Sequence, residues 1–385
     1  MNRTVLLLAL VGLLYTSPLL AQTFSVVLEP QGDIIYSRGN SVFSFGDDII
    51  CFHIKSNDGA SAFLGSTILN NEGEINDEQI IVLGEQVLPE NVELNPFSDE
   101  DYIVTVSVNS ESTETAGFLG YSFQENDSLW YVPFGMDNRI VKGIDAQGTS
   151  DGGYVLLVSS RQTIFDPLEY YLIRYNEQRQ QQWAQQLDPD VFNSTFLTDF
   201  DVVDDSEWIV VGSSDNSTFQ DSFYAYLNTS GELVDIEYYG GEWNDRALDL
   251  FNLQNPIISG FYTFDDDALV NQCSLTKVDA ASREIVWTST FRPLDSGFSS
   301  FEDSKELPNG DIISVGLVEF DETKGLISKH NEEGEIVWVR ILDCTEIDSG
   351  FCDLQGVSIM EDGSILATGL VNDLPEGPFG TWILK

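Results

Sequence analysis

The chain has 385 residues and a formal net charge of -47, from 64 acidic and 17 basic residues. A field of that sign repels nucleic acids and anionic lipid surfaces and favours cations and basic partners. A hydrophobic content of 42% and 24 phenylalanines exclude an acidic disordered tail, because such tails lack the apolar residues that build a core.

The first residues have the features of an export signal. Arg3 supplies a positive start, residues 5–14 are apolar, and residues 19–21 offer a cleavage site before Gln22. The apolar stretch is shorter than the roughly 20 residues that a membrane span needs. No cysteine lies nearby to carry a lipid anchor. We therefore predict a signal peptide at residues 1–21 and a secreted or cell-surface protein without membrane insertion.

The rest of the chain repeats a short apolar run that ends in a glycine or a small or aliphatic residue. The seven runs end at residues 54, 106, 158, 212, 260, 316 and 369, so successive copies are 48 to 56 residues apart. A period near 50 residues built from short strands is typical of a propeller. We predict that residues 22–385 form one all-β domain, a seven-bladed β-propeller.

The third unit illustrates one blade. Its predicted strands span residues 141–146, 154–158, 170–175 and 182–187. The tight turn at residues 151–153 contains two glycines, which accept a positive φ without strain. Four antiparallel strands in about 50 residues match a propeller blade.

Large aromatic residues recur on the predicted fourth strands. They are Trp130, Trp183, Trp287 and Trp338. Aromatic residues at a structural period normally belong to the core, so we expect these side chains to pack between blades.

The two ends of the chain complement each other. The seventh unit reaches Lys385 after its third predicted strand, so it lacks a fourth strand. Residues 24–29 are predicted to form a strand that belongs to none of the seven units. An unpaired sheet edge favours aggregation. We therefore predict that residues 24–29 pair with residues 380–385, which would close the ring of a monomer.

Four motifs, one of which occurs twice, show a family resemblance. They are Asp-Gly-Gly-Tyr-Val-Leu-Leu at 151–157, Tyr-Leu-Ile-Arg-Tyr-Asn-Glu at 171–177, Asn-Glu-Glu-Gly-Glu-Ile-Val-Trp at 331–338, and Asp-Ser-Gly-Phe at 295–298 and again at 348–351. Over residues 40–385 the chain resembles exported repeat propellers common in Bacteroidetes bacteria. Such proteins often end in a sorting module of the type IX secretion system, which this sequence does not show. The resemblance implies an exported bacterial propeller and no particular activity, because propellers host many functions.

The four cysteines divide into two pairs. Cys344 and Cys352 lie eight positions apart in one loop, where an exported protein permits a disulfide bond. Cys51 and Cys273 lie in strands of the first and fifth units, which are far apart around a ring, so we expect both thiols to stay free. With two histidines and no Cys-x-x-Cys pair, the sequence disfavours a zinc site.

Two motifs of common catalysts are missing, since the sequence contains no P-loop and no His-Glu-x-x-His. His53 lies inside an apolar run and is predicted to be a hydrogen-bonded core residue. His330 ends a third strand at a turn and is predicted to be solvated.

Acidic residues leave two further possibilities open. Paired carboxylates could hydrolyse a polysaccharide, and the runs at residues 199–205 and 265–267 could hold calcium. None has the spaced loop of a calcium site, and we interpret these runs as solvated loops. No other cofactor is expected.

One face of the predicted propeller collects the candidate binding residues. Loops between second and third strands, and links from each fourth strand to the next unit, emerge on this side, which we call the loop face. The candidates are Trp243, Asp245, Arg246, Phe298 and Phe351, with Asp295 and Asp348 nearby in sequence. Aromatic rings beside carboxylates suit glycans or basic proteins. Alternatively, Phe298 and Phe351, which are 53 residues apart, pack the links against the neighbouring blade.

These observations predict a non-enzymatic, exported binding or scaffold propeller that recognises a glycan or protein ligand through the loop face. The alternative is a polysaccharide hydrolase or lyase that uses carboxylates on the same face.

Overall fold

The computed structural model describes most of the chain. The described residues are 25–28, 36–56, 62–81, 86–95, 101–110, 113–125, 127–192, 195–204, 207–214, 220–240, 244–251, 255–263, 271–293, 296–343, 351–372 and 379–385. Among them, no helix has the length and hydropathy that crossing a membrane requires.

The described residues form strands and one short helix, and most strands fall into consecutive groups of four. The strands are β1 (Ser25–Leu28); β2 (Tyr36–Phe45), β3 (Asp48–Ser56), β4 (Ala62–Leu69) and β5 (Ile75–Ile81); β6 (Gln86–Leu94), β7 (Asp101–Ser110), β8 (Thr113–Ser122) and β9 (Asp127–Phe134); β10 (Ile140–Gly148), β11 (Tyr154–Arg161), β12 (Glu169–Tyr175) and β13 (Gln181–Gln186); β14 (Thr195–Asp204), β15 (Glu207–Ser214), β16 (Asp221–Asn228) and β17 (Leu233–Tyr239); β18 (Asp245–Phe251), β19 (Ile257–Thr263), β20 (Asn271–Val278) and β21 (Ile285–Phe291); β22 (Phe298–Glu306), β23 (Ile312–Glu319), β24 (Thr323–His330) and β25 (Ile336–Leu342); and β26 (Phe351–Ile359), β27 (Ile365–Asn372) and β28 (Phe379–Leu384). The helix is α1 (Pro189–Phe192).

Within each group of four, consecutive strands pair antiparallel, as the third group shows. Tyr154 of β11 lies opposite Tyr175 of β12, and Gly148 of β10 lies opposite Tyr154 on the other side. The four strand positions predicted for this unit are therefore confirmed. The second strand is buried along almost its whole length, which explains its unbroken apolar sequence. The fourth strand is mostly exposed.

The core lies between neighbouring groups. One cluster packs Ile209, Val211 and Tyr224 of the β14–β17 group against Leu250 and Ile258 of the β18–β21 group. Each sheet thus buries its faces against the sheets before and after it, and the apolar second strands supply most of this contact.

The periodic tryptophans pack between groups, as predicted. The ring of Trp130 meets Tyr154 of the next group edge-on, with centroids 5.2 Å apart. Trp183 stacks on Trp208 at 5.9 Å. Trp287 donates its indole N–H to the carbonyl oxygen of Glu332 at 3.1 Å.

The N-terminal strand pairs with the last strand. β1 lies antiparallel to β28, with Ser25 opposite Leu384 and Leu28 opposite Thr381. β1 therefore occupies the outer position in the β26–β28 sheet, the position that the fourth strand holds in the other groups. The pairing predicted between residues 24–29 and 380–385 is present for the described residues 25–28.

The first strand of every group carries a β-bulge, and the bulges surround one cavity. The residues at the bulges are Asn40, Glu90, Ile144, Thr198, Leu248, Glu302 and Gln355. All of them line the same space, which we call the central cavity. A bulge bends its strand and re-aims the local side chains, so the seven first strands turn comparable residues inward.

The two histidines differ in how well the sequence predicted them. His53 is buried, and its Nε2 lies 2.9 Å from Thr67 Oγ1, as expected of a hydrogen-bonded core residue. The prediction that His330 is solvated was wrong. His330 is buried, its Nε2 lies 3.0 Å from Ser328 Oγ, and its ring meets Phe301 edge-on. Burial lowers the pKa of His330 to about 4.

Candidate functional site

The central cavity has a volume of about 190 Å³ and is lined mainly by polar side chains. Its acidic lining residues are Glu90, Glu93, Asp199, Asp249, Glu302 and Asp303. Among the described residues that line it, Lys305 is the only basic one. The cavity therefore concentrates negative charge where the first strands converge.

An aspartate follows the bulge in four consecutive first strands. These residues, Asp145, Asp199, Asp249 and Asp303, form what we call the aspartate belt. Because each occupies the same position in its strand, the bulge directs all four toward the neighbouring group. The sequence signal was their spacing of 54, 50 and 54 residues, which is hard to recognise among 64 acidic residues.

Three members of the belt tie one group to the next through the backbone. Asp199 Oδ2 accepts the N–H of Leu250 at 2.8 Å. Asp249 Oδ2 accepts the N–H of Ser304 at 3.1 Å. Asp303 Oδ2 accepts the N–H of Val357 at 2.7 Å. Each of these hydrogen bonds joins one first strand to the next, so the belt fastens the first strands to one another.

The fourth member, Asp145, makes a different set of contacts. It accepts hydrogen bonds from Asn91 Nδ2 at 3.0 Å, Gln147 Nε2 at 2.8 Å and its neighbour Ala146 N–H at 2.6 Å. Gln147 Nε2 also lies 3.2 Å from the carbonyl oxygen of Phe200 in the next group. Here a glutamine side chain bridges the two groups in place of a direct carboxylate contact.

Lys305 balances part of the charge. Its Nζ lies 3.4 Å from Asp303 Oδ1. Burial alone would lower the pKa of the Lys305 ammonium, but Asp303, Asp249 and Glu93 outweigh that effect and raise the pKa. Lys305 therefore stays charged and is shared among several carboxylates.

One ammonium does not neutralise the cavity. Burial, followed by repulsion from neighbouring carboxylates, raises the pKa of Asp145, Asp199 and Asp249 well above the ordinary range. Burial and the nearby Glu93 raise the pKa of Asp201 to about 7. Such a cluster gains stability by taking up protons or by meeting positive charge from outside.

The described residues provide no site that could hold a metal ion through three or more histidine, cysteine or acidic side chains. The acidic run at residues 265–267, considered for calcium, lies outside the described residues. The prediction that the other run, at residues 199–205, is a solvated loop was wrong for its described part, because residues 199–204 belong to β14. Asp199 is buried there, and its carboxylate accepts the backbone N–H groups of Phe200 and Leu250.

The predicted binding residues that the structure describes differ in their exposure. Trp243, Asp295 and Asp348 lie outside the described residues. Asp245 is buried, and its Oδ1 accepts the N–H of Thr263 at 3.1 Å, so it is not accessible to a ligand. Arg246 is exposed, and its Nε donates to Gln220 Oε1 at 3.3 Å.

Phe298 and Phe351 are half-buried at the starts of β22 and β26. The ring of Phe298 meets Phe261 of the preceding group edge-on, with centroids 5.3 Å apart. Phe351 lies opposite Thr323 in a parallel bridge between two groups. These contacts favour the alternative interpretation, in which the two rings pack the links against a neighbouring sheet.

The cysteines follow the predicted division where it can be observed. Cys51 and Cys273 are free and buried. Cys352 takes part in a disulfide bond. Its predicted partner, Cys344, lies outside the described residues.

Comparison with known proteins identifies the fold and nothing finer. No family model matches the sequence, and no curated protein matches it. The structure is similar to the β-propeller domain of the Trilobed protease from Pyrococcus furiosus, with a TM-score of 0.51, 10% identity, and coverage of 91% of this chain and 94% of that one.

It is also similar to a puromycin-hydrolyzing peptidase from Mycobacterium tuberculosis, with a TM-score of 0.50, 10% identity and coverage of 89% of this chain. This chain spans 51% of that peptidase, about half its length. Together with the sheets of four antiparallel strands, these similarities place the chain among the β-propellers. At such low identity they show the fold alone.

Proposed function

We propose that this protein is an exported, non-enzymatic binding propeller, with seven blades closed by β1, whose ligand is a positively charged segment of another protein. The observation that carries the proposal is the central cavity, where six acidic residues face a single lysine. The bulged first strands around the cavity and the pairing of β1 with β28 support the blade count and the closure. The family resemblance supports export.

Electrostatics favours a basic protein segment over a glycan. A recess lined by charges of one sign and enclosed by protein focuses its field and raises the local concentration of oppositely charged ligands. A neutral glycan gains nothing from this field, and an acidic glycan is repelled. Lysine and arginine side chains would provide the missing positive charge in the cavity.

The belt contacts argue against the hydrolase or lyase alternative. A catalytic carboxyl must be within reach of the substrate, either as an acid or as a nucleophile. Asp199, Asp249 and Asp303 instead accept backbone N–H groups of neighbouring strands. These carboxyl groups hold neighbouring sheets together, so we favour binding over catalysis as the function of the cavity.

The proposal can be tested with nona-lysine as the ligand and nona-glutamate as its anionic counterpart. Calorimetry should detect nona-lysine binding that weakens as salt is added, and no binding of nona-glutamate. The triple variant Glu90→Gln, Glu93→Gln, Asp249→Asn should bind nona-lysine at least tenfold more weakly. A matched triple variant at exposed turns, Glu72→Gln, Glu333→Gln, Glu361→Gln, removes the same number of acidic groups and should stay within threefold of wild type.

A second variant covers the case in which the cavity triple does not fold. Lys305→Met removes the internal cation and should tighten nona-lysine binding. If wild type does not bind nona-lysine, or if the turn variant loses as much affinity as the cavity variant, the proposal is wrong.

A further inference from the structure

The loop between β11 and β12 presents two large apolar side chains to solvent. Ile164 is 60% exposed and Phe165 is 90% exposed. The loop joins a second strand to a third, so it lies on the loop face. A phenylalanine carries roughly 150–250 Å² of surface that burial would remove from water. At 90% exposure Phe165 contributes almost nothing to the core of its own chain.

The loop holds these side chains on a fixed support. Asp166 Oδ2 accepts the backbone N–H of Thr163 at 2.8 Å and its hydroxyl at 2.7 Å. The N–H of Asp166 returns a hydrogen bond to the carbonyl oxygen of Thr163 at 3.1 Å. Arg161 donates to the carbonyl oxygen of Ile164 at 3.0 Å. A flexible loop loses conformational entropy when it becomes ordered on binding. A preorganised turn avoids most of this loss.

A third apolar side chain lies on the same face. Phe196, the second residue of β14, is 47% exposed and follows the link from β13. The other large apolar residues with high exposure among the described ones lie mainly in outer strands such as β5, β17, β21 and β25. The loop face therefore carries two strongly exposed aromatic rings, those of Phe165 and Phe196.

The charge around the turn indicates the partner. Asp166, in the turn, and Asp188 and Asp190, in the link after β13, are exposed on the loop face. Arg161 is a basic residue of the same turn, so these three carboxylates outnumber it. An aromatic side chain on a face that carries exposed carboxylates complements an apolar pocket with lysine or arginine at its rim. A partner of the same negative charge as this chain, including a second copy of it, would be repelled.

We infer that the β11–β12 turn is a docking anchor, and that Phe165 inserts into an apolar pocket of a basic protein partner. The inference rests on the proposed function, since it names the surface that the same partner contacts outside the cavity. Buried aromatic residues at the centre of an interface commonly dominate its affinity, and Phe165 is the described side chain best placed for that role.

The test uses peptides selected from a phage-displayed library of random 12-residue sequences on the wild-type protein at physiological salt. Selected peptides should combine aliphatic or aromatic residues with lysine or arginine. Their affinity should fall at least tenfold for Phe165→Ser and stay within twofold for Val286→Ser, a matched change at an exposed position of β21. Both substitutions remove exposed side chains, so neither should alter folding.

Failure of this inference can be distinguished from failure of the proposed function. If the selected peptides bind Phe165→Ser as well as wild type, or if none is selected, the anchor is wrong. Nona-lysine would then still report on the cavity by itself, because the cavity triple variant and Phe165→Ser change separate parts of the molecule.

Discussion

The carboxylate of Asp249 accepts the backbone N–H of Ser304 at 3.1 Å, although the two residues belong to different sheets. Asp199 with Leu250 and Asp303 with Val357 repeat the contact one group earlier and one group later. The first strands are thus joined by side chain to backbone bonds at the level of their bulges. These joints fix the cavity walls, which supports a rigid binding site.

We predict that Asp249→Ala destabilises the protein and that Asp249→Asn does so much less. Alanine leaves the Ser304 N–H without its acceptor, which costs about 1–3 kcal/mol for a buried donor. Asparagine keeps an oxygen at the same position and removes a carboxylate whose ionisation is unfavourable there. Urea unfolding should give this order. Equal stability of Asp249→Ala and wild type would show that the joint contributes nothing.

We predict that Asp201 makes the folded state less stable as the pH rises. Its pKa increases from an ordinary 3.8 to about 7 on folding, because of burial and Glu93. Between these values the unfolded state releases the proton and the folded state keeps it, so stability falls as the pH rises from about 4 to 7. Asp201→Asn removes this dependence.

A comparison of wild type with Asp201→Asn separates the effect of Asp201 from that of the two histidines. Burial lowers the pKa of both His53 and His330, and their effect has the opposite sign, because stability falls as the pH drops below 6.5. Calorimetry at pH 4.5 and 7.5 should show Asp201→Asn gaining stability relative to wild type at the higher pH. A difference that does not change with pH would contradict the role of Asp201.

The repeating apolar runs predicted the sheets because each second strand is covered on both faces, as the burial of β11 shows. The environment of His330 could not be predicted in this way. The ring that covers it, Phe301, belongs to another strand of the sheet and is 29 positions earlier in the chain. The exposure of Phe165 could not be predicted either. Nothing in the residues next to it in sequence indicates that the loop leaves its side chain in solvent.

We predict that the denatured, non-reduced protein, exported through an oxidising compartment, has two free thiols. Cys51 and Cys273 are free, and Cys352 is bonded. If Cys344 is the partner, the bond closes a loop of about nine residues and stabilises the fold by roughly 2–3 kcal/mol in the chain-entropy model. Thiol titration decides the count, and four reactive thiols would refute it. Cys352→Ser should lower the melting temperature.

We predict that a chain lacking residues 25–28 associates and melts earlier than the full protein. The deletion exposes the edge of β28 along Thr381 to Leu384, and exposed edges pair with other chains. Size-exclusion chromatography and thermal melting measure both effects. A chain that begins at residue 25 keeps β1 and serves as the control. If both chains remain monomeric and equally stable, β1 is dispensable.

The pairing of Val27 with Trp382 also sets the order in which the molecule can be completed. A ribosome delivers β1 before every other described strand and β28 after them. The early sheets can assemble while synthesis continues, but the sheet that contains both ends has to wait, and contacts between residues so distant in sequence form slowly. Until then β1 remains an unpaired strand, open to capture by a chaperone or by another nascent chain. We expect this late pairing to be a step at which folding can fail.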